Sequence, residues 1–106
     1  MIQRLKPREA KDILDKNKNI RLIDVREEGE NNRAKINNSE LMPLSRFIEM
    51  SKNLDKDHKF MIYCHHGIRS MQVCYYLEKS GFNYLINLEG GIDAWSKEVD
   101  NSIPVY

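Results

Sequence analysis

Cysteine is scarce in this chain: Cys64 and Cys74 are the only two among 106 residues. A pair of thiols does not make the disulfide framework of a small secreted domain, so both are read as free thiols and the expected compartment is the cytoplasm. Long apolar runs are missing as well. None approaches the roughly 18 residues of a membrane span, and the opening stretch from Met1 to Pro7 has no apolar core of a signal peptide. An excess of one charge is also absent, with 17 Lys and Arg set against 16 Asp and Glu and both signs interspersed. That balance argues against a nucleic-acid partner and against a membrane-surface helix. Finally, 106 residues leave no room for a second lobe, so residues 1–106 are expected to form one domain around one core.

Short apolar runs are present, and their order is informative. Residues 20–25, 60–64 and 84–88 are continuous rather than alternating. Such runs suit strands buried on both faces of a parallel sheet covered by helices. Between them, residues 7–14 predict a helix: Pro7 suits its first position, and Ala10, Ile13 and Leu14 recur at helical spacing. Residues 27–40 are polar and rich in asparagine, which predicts a long loop with room for one short helical turn. A brief extended piece follows at 41–44, with Ser45 as N-cap of a helix carrying Phe47, Ile48 and Leu54 on one side. A helix over 68–80 stops at Gly81, Gly90-Gly91 makes a turn, and a short helix covers 92–98 before an extended tail at 103–106. The fold class is α/β: a mostly parallel sheet of about four to five strands, flanked by helices on both faces.

In open α/β sheets, sites lie at the carboxyl ends of the strands. Asp24-Val25-Arg26 and Cys64 both fall at such ends, and Gly90-Gly91 lies just past a third. The segment Cys64-His65-His66-Gly67-Ile68-Arg69-Ser70 therefore puts a thiol between a strand and a helix N-terminus. Backbone N–H groups converge there and the helix dipole is positive, which favours an exposed thiolate. Gly67 lets the loop fold tightly enough to aim several amides at one point, and Arg69 supplies a fixed cation. The segment reads as a reactive-cysteine loop that cradles an anionic sulfur group.

This loop resembles the active-site loop of rhodanese-like sulfurtransferases, whose pattern is Cys, two residues, Gly, one residue, Arg, then Ser or Thr. Leu22-Ile23-Asp24-Val25-Arg26-Glu27 is similar to that family's first charged strand end, and Asn87-Leu88-Glu89-Gly90-Gly91-Ile92-Asp93-Ala94-Trp95 to its C-terminal Gly-Gly-x-x-x-Trp element. The three segments fall in the family's order and spacing, and the likeness runs from about residue 2 to residue 106. The resemblance implies a small rhodanese-like domain that moves a sulfane sulfur from thiosulfate or a persulfide to a thiol or cyanide through a Cys64 persulfide. It further implies a small anionic sulfur donor, and as acceptor a thiol or a thioredoxin-like or sulfur-carrier protein. No cofactor is expected.

By this reading Cys64 is the nucleophile, and His65, His66, Gly67, Ile68, Arg69 and Ser70 form the donor-binding loop. Each has a plainer alternative: Cys64 as a small strand-end residue, Arg69 as a surface side chain, the histidines as rim residues, and Ser70 as a helix-start cap. Asp24 and Arg26 are expected, by the resemblance, to brace the loop from behind. Trp95 with Ile92 is expected to pack the core, and Cys74 to be a buried, unreactive thiol. A metal is not expected, since Cys64, His65 and His66 are consecutive and no spaced ligands accompany them. Phosphatases and arsenate reductases of related fold also set a cysteine before an arginine, but with five residues between. Here there are four, His65 to Ile68, a smaller cradle that suits a terminal sulfur. No acid stands in the loop to protonate a leaving group, and Glu27, Glu28 and Glu30 are the remaining candidates. A binding module that has lost catalysis is the third reading, opposed by the presence of Cys64, Gly67 and Arg69. The chain departs from the family at Ala34-Lys35-Ile36-Asn37-Asn38-Ser39, where Lys35 replaces a histidine and Asn38 stands for a glycine, and at Asn31, which replaces an aromatic. Asn38 is expected to take the left-handed backbone conformation that glycine would.

Overall fold

A computed structural model describes residues 1–106. Its centre is a five-stranded sheet in the order β1-β5-β4-β2-β3, built from β1 (Ile2–Leu5), β2 (Ile20–Asp24), β3 (Glu40–Leu41), β4 (Lys59–Tyr63) and β5 (Tyr84–Leu88). Every pairing is parallel. The apolar runs explain this, because alternate residues of each strand serve opposite faces. Leu22, Met61 and Ile86 stand in register and join one core cluster with Ala10, Trp95 and Ile92. Their neighbours Ile23 and Ile62 join the other, with Phe47, Val73 and Leu77. Helices α1 (Pro7–Lys16) and α5 (Gly91–Glu98) cover the first face, and α3 (Phe47–Ser51) and α4 (Ile68–Lys79) cover the second.

The α/β expectation, the parallel sheet and the helices on both faces agree with this architecture. Strand β1 is an addition. Only Ile2 and Leu5 are apolar there, three apart, and no alternation announces a strand; pairing with β5 from Ile2–Leu85 to Leu5–Leu88 creates it. The polar stretch after β2 holds a full short helix, α2 (Glu28–Arg33). Glu27 and Glu30 close its N-terminus reciprocally, side chain to backbone.

The helix expected from Ser45 is corrected. The chain makes a 3₁₀ turn at Leu44–Arg46 and then α3, and Ser45 caps neither. Its hydroxyl donates instead to the Glu27 carboxylate at 2.7 Å. Phe47 is buried edge-on against Tyr76, while Ile48 is 60% exposed, so Phe47 and Ile48 do not share a buried side. Asn38 does adopt the left-handed conformation, with φ at +67°.

Candidate active site

Strand β4 ends at Tyr63, and Cys64 follows it before the chain turns into α4; its side chain is buried, not exposed as the loop position led one to expect, because the loop folds back over the sulfur. The turn closes on Gly67 at φ +102°, a conformation L side chains rarely adopt. As a result the Gly67 N–H donates to Cys64 Sγ at 3.1 Å and the Ser70 N–H at 3.4 Å. Two amides at the start of α4 thus converge on the sulfur.

The loop is held from two sides. On one, α5 offers its first free N–H groups: those of Ile92 and Asp93 donate to the carbonyls of Cys64 and His65 at 2.9 and 3.1 Å. Such close approach needs Gly91, where a Cβ would fall against the Cys64 and His65 carbonyl oxygens. On the other side stands Asn87, the penultimate residue of β5 and a buried polar side chain, beside Ile62. It accepts from Ser70 Oγ at 2.5 Å and donates to the Gly67 carbonyl at 3.3 Å. Ser70 Oγ lies 3.4 Å from Cys64 Sγ, so Ser70 contacts the sulfur and caps no helix. Replacing Asn87 with Leu, of the same branching, leaves the Gly67 carbonyl without its partner and the buried Ser70 hydroxyl with the Cys64 sulfur alone. The expected cost is about 1–3 kcal/mol, with several-fold slower alkylation of Cys64. A stability loss with unchanged alkylation would restrict Asn87 to packing.

Asp24 and Arg26 form a fully buried ion pair behind the loop. Arg26 Nε and Nη2 donate to the two Asp24 oxygens at 2.9 and 2.8 Å. The same guanidinium reaches the Ala34 carbonyl at 2.6 Å, the Glu30 carbonyl at 3.3 Å and the Tyr106 hydroxyl at 2.7 Å. Asn31, in place of the family's aromatic, donates to Asp24 at 3.0 Å. The pair therefore ties the end of β2 to α2 and to Tyr106.

From there the chain of contacts returns to the loop. Arg69 donates from both terminal nitrogens to the Glu30 carboxylate, at 2.7 and 2.8 Å, and Tyr106 OH donates to it at 3.0 Å. Arg69 is thus engaged by Glu30 at the site's edge, not held alone above the sulfur. The Arg69 pair is the main cause that draws the Glu30 carboxyl down from the ordinary 4.5 to about 2. A carboxyl depressed on folding stabilises the fold above its unfolded pKa, and that contribution disappears as pH falls from about 4.5 toward 2. Acid unfolding of Glu30→Gln should accordingly show a shallower fall across that window. An identical acid limb in wild type and variant would count against the pair.

His65 and His66 turn outward. The His65 ring stacks flat on Tyr106, with centroids 4.0 Å apart, and Nε2 donates to the Tyr106 main-chain oxygen at 2.9 Å. His66 tilts against His65 at 3.9 Å and lies 4.0 Å from Asp93. His65, His66 and Asp93 offer ligand atoms within 4.8 Å of one another, a grouping that the sequence spacing hid because α5 supplies Asp93. Asp93 is already paired with Lys97 at 3.0 Å. Ile68, at the outer rim, is 72% exposed. Cys74 is buried, and burial pushes its thiol up to about 12, as an inert core cysteine requires. Trp95 and Ile92 pack in the core.

Two clefts of similar size mark the surface. One, of about 440 Å³, lies between Leu14, Ile20, Ile36 and Trp95, away from any nucleophile. The other, of about 410 Å³, runs beside the loop past His66, Gly67, Ile68, Gln72 and Tyr75. The second borders the Cys64 loop, although Cys64 itself does not line it. Sequence reasoning missed Glu30 as the partner of Arg69, together with Asn87 and Tyr106. Only Asn87 carried a signal, as the polar interruption of an apolar strand.

Known proteins resemble this chain in sequence and fold. The rhodanese-like domain family is matched over residues 6–98. A thiosulfate sulfurtransferase, GlpE, of Coxiella burnetii is 32% identical over 82 residues, covering 77% of this chain and 77% of the relative. A sulfurtransferase of Allochromatium vinosum is 33% identical over 78 residues, with 74% and 73% covered. A Mycobacterium tuberculosis protein bearing the name adenylyltransferase/sulfurtransferase MoeZ is 35% identical over 103 residues; there the match takes in 94% of this chain but 26% of the longer protein. Among solved structures, a rhodanese-like domain protein from Staphylococcus aureus superposes with a TM-score of 0.83 at 29% identity, covering 98% of each chain. A rhodanese-related protein from Thermoplasma volcanium gives 0.78 at 33% identity, covering 92% and 93%. Motif, fold and relatives converge: the chain belongs to the rhodanese-like domain family.

Proposed function

We propose that this protein is a sulfurtransferase that carries sulfane sulfur as a persulfide on Cys64. The observation that carries the reading is the convergence of the Gly67 and Ser70 N–H groups on Cys64 Sγ. In the first step the Cys64 thiolate attacks the outer sulfur of the donor. The donor's S–S bond breaks, and its electron pair leaves with sulfite from thiosulfate, or with a thiolate from a persulfide. The new Cys64–S–S⁻ group extends the negative charge by one atom within the same set of amides. In the second step a thiol or cyanide acceptor attacks that outer sulfur and restores the Cys64 thiolate. Each step exchanges one S–S bond or forms one product bond to sulfur, so no external oxidant or reductant is needed. His65 and His66 border the loop, Ile68 forms its exposed lip, and Ser70 touches the sulfur.

The four-residue interval between Cys64 and Arg69 and the pairing of Glu30 with Arg69 disfavour phosphatase chemistry, since Glu30 is not free to serve as an acid. The test is thiocyanate formation from cyanide with thiosulfate or cysteine persulfide as donor, run beside aryl phosphate hydrolysis. Sulfur transfer that vanishes in Cys64→Ser supports the reading. Aryl phosphate turnover that depends on Cys64, with no sulfur transfer, overturns it.

A further inference from the structure

The site should hold its donor by charge, yet its charges are already matched. Arg69 sits in the first turn of α4, close enough to feel the charge on Cys64. Its two terminal nitrogens are taken by the two oxygens of Glu30. The pair is well anchored, because the Tyr106 hydroxyl donates to the same carboxylate, and the backbone N–H of Glu27 donates to it as well. Of the other cations, Arg26 is buried on Asp24 and Lys97 is bound to Asp93, while Arg33 lies over the Tyr106 ring at 5.3 Å and Arg4, in the loop-side cleft, donates to the Tyr75 hydroxyl at 3.4 Å. An anion arriving at Cys64 therefore meets backbone amides and, at Arg69, a neutralised ion pair.

Thiosulfate brings two negative charges and expels sulfite, a dianion that forms beside the sulfur. A carboxylate 2.7 Å from Arg69 opposes both the arrival of the first dianion and the formation of the second beside it. A thiol persulfide, neutral or ionised, brings at most one negative charge on its reacting group, and its leaving thiolate can take a proton from water. We propose that Glu30 makes this site selective for thiol persulfides over thiosulfate, by neutralising Arg69. The proposal rests on the sulfurtransferase reading above and names the donor class for the same cysteine.

The reaction balances without a further reagent. Cys64–S⁻ forms a bond to the outer sulfur of R–S–SH while the bond between the donor's two sulfurs breaks. The electron pair leaves as R–S⁻, and the transferred group keeps its proton or releases it to water. Charge and sulfur count are the same on both sides.

The experiment compares kcat/KM for thiosulfate and for free cysteine persulfide, with cyanide as acceptor, in wild type and Glu30→Gln. A persulfidated cysteine peptide forms a parallel arm, so that a faster rate with either form supports the donor class and the order of the two identifies its source. Wild type should use persulfide at least tenfold better than thiosulfate, and Glu30→Gln should shift the ratio toward thiosulfate by about tenfold or more. An unchanged ratio, or one that moves toward persulfide, would show that Glu30 only braces Arg69. Should neither donor sulfurate wild-type Cys64, the sulfurtransferase reading itself fails and takes the proposal with it, a distinct outcome from an unchanged ratio. A measurement on the wild type alone guards against a variant that does not fold: alkylation of Cys64 by anionic iodoacetate against neutral iodoacetamide. A rate ratio near that of free cysteine supports a mouth without net positive charge. A ratio raised severalfold would contradict it.

Discussion

Asparagine in place of Asp24 is expected to destabilise the domain by about 3–5 kcal/mol, the usual cost of stranding one partner of a buried ion pair. For a chain of this size that corresponds to a fall in melting temperature of roughly 12 °C or more. The size follows from the surroundings. Arg26 is wholly buried, and with Asp24 neutral its charge would rest on two backbone carbonyls and the Tyr106 hydroxyl alone. The backbone N–H of Arg26, which also donates to Asp24 at 2.9 Å, would lose its charged acceptor. Function should decline along the same path, because Arg26 holds α2 and Tyr106, and these hold Glu30 and His65. Thermal melts of Asp24→Asn beside Cys64 sulfuration rates provide the check. Activity lost at unchanged melting temperature would place Asp24 in contact with the donor instead.

The second large effect is expected from Gly91→Ala. A methyl group there would meet the carbonyl oxygens of Cys64 and His65, and φ at +62° is unfavourable for any residue with a side chain. Neither carbonyl can retreat easily, since Ile92 and Asp93 bind them. Relief requires α5 to move off the loop, which breaks both hydrogen bonds and loosens the backbone that aims Cys64. We expect a loss of roughly 2–4 kcal/mol and at least a tenfold drop in the rate of Cys64 sulfuration. By contrast, an alanine at Gly29, where nothing lies within 4 Å, should leave both nearly unchanged. Equal melting curves and equal sulfuration rates for Gly91→Ala and wild type would show that the contact does not hold the loop.

How much of this was legible in the sequence depended on how local the cause was. The three central strands announced themselves because burial on both faces demands unbroken apolar runs. Asn38 was readable for a similar reason: its backbone conformation is a property of one residue and its neighbours. Strand β1 was not readable, since Ile2 and Leu5 acquire strand geometry only by pairing with β5, more than 80 positions away. Ser45 misled because a serine before an apolar pair is a good N-cap locally, and only the fold brings Glu27 to claim its hydroxyl. The site divides along the same line. Cys64 and Gly67 could be assigned from a loop of seven residues. The state of Arg69 could not, because its partner Glu30 lies 39 positions earlier and reaches it only once β2, α2 and α4 are assembled. Charge at the mouth is therefore a product of the tertiary structure, although the candidate nucleophile is legible locally.

Cys64 alone is proposed to carry transferable sulfur. Intact-protein mass spectrometry tests this most directly, after treatment of wild type and Cys64→Ser with cysteine persulfide and, separately, with thiosulfate. The expected result is one added sulfur on the wild type, removed by reductant and absent from Cys64→Ser, with Cys74 unmodified in both. No added sulfur from either donor, or a sulfur that persists in Cys64→Ser, would contradict it.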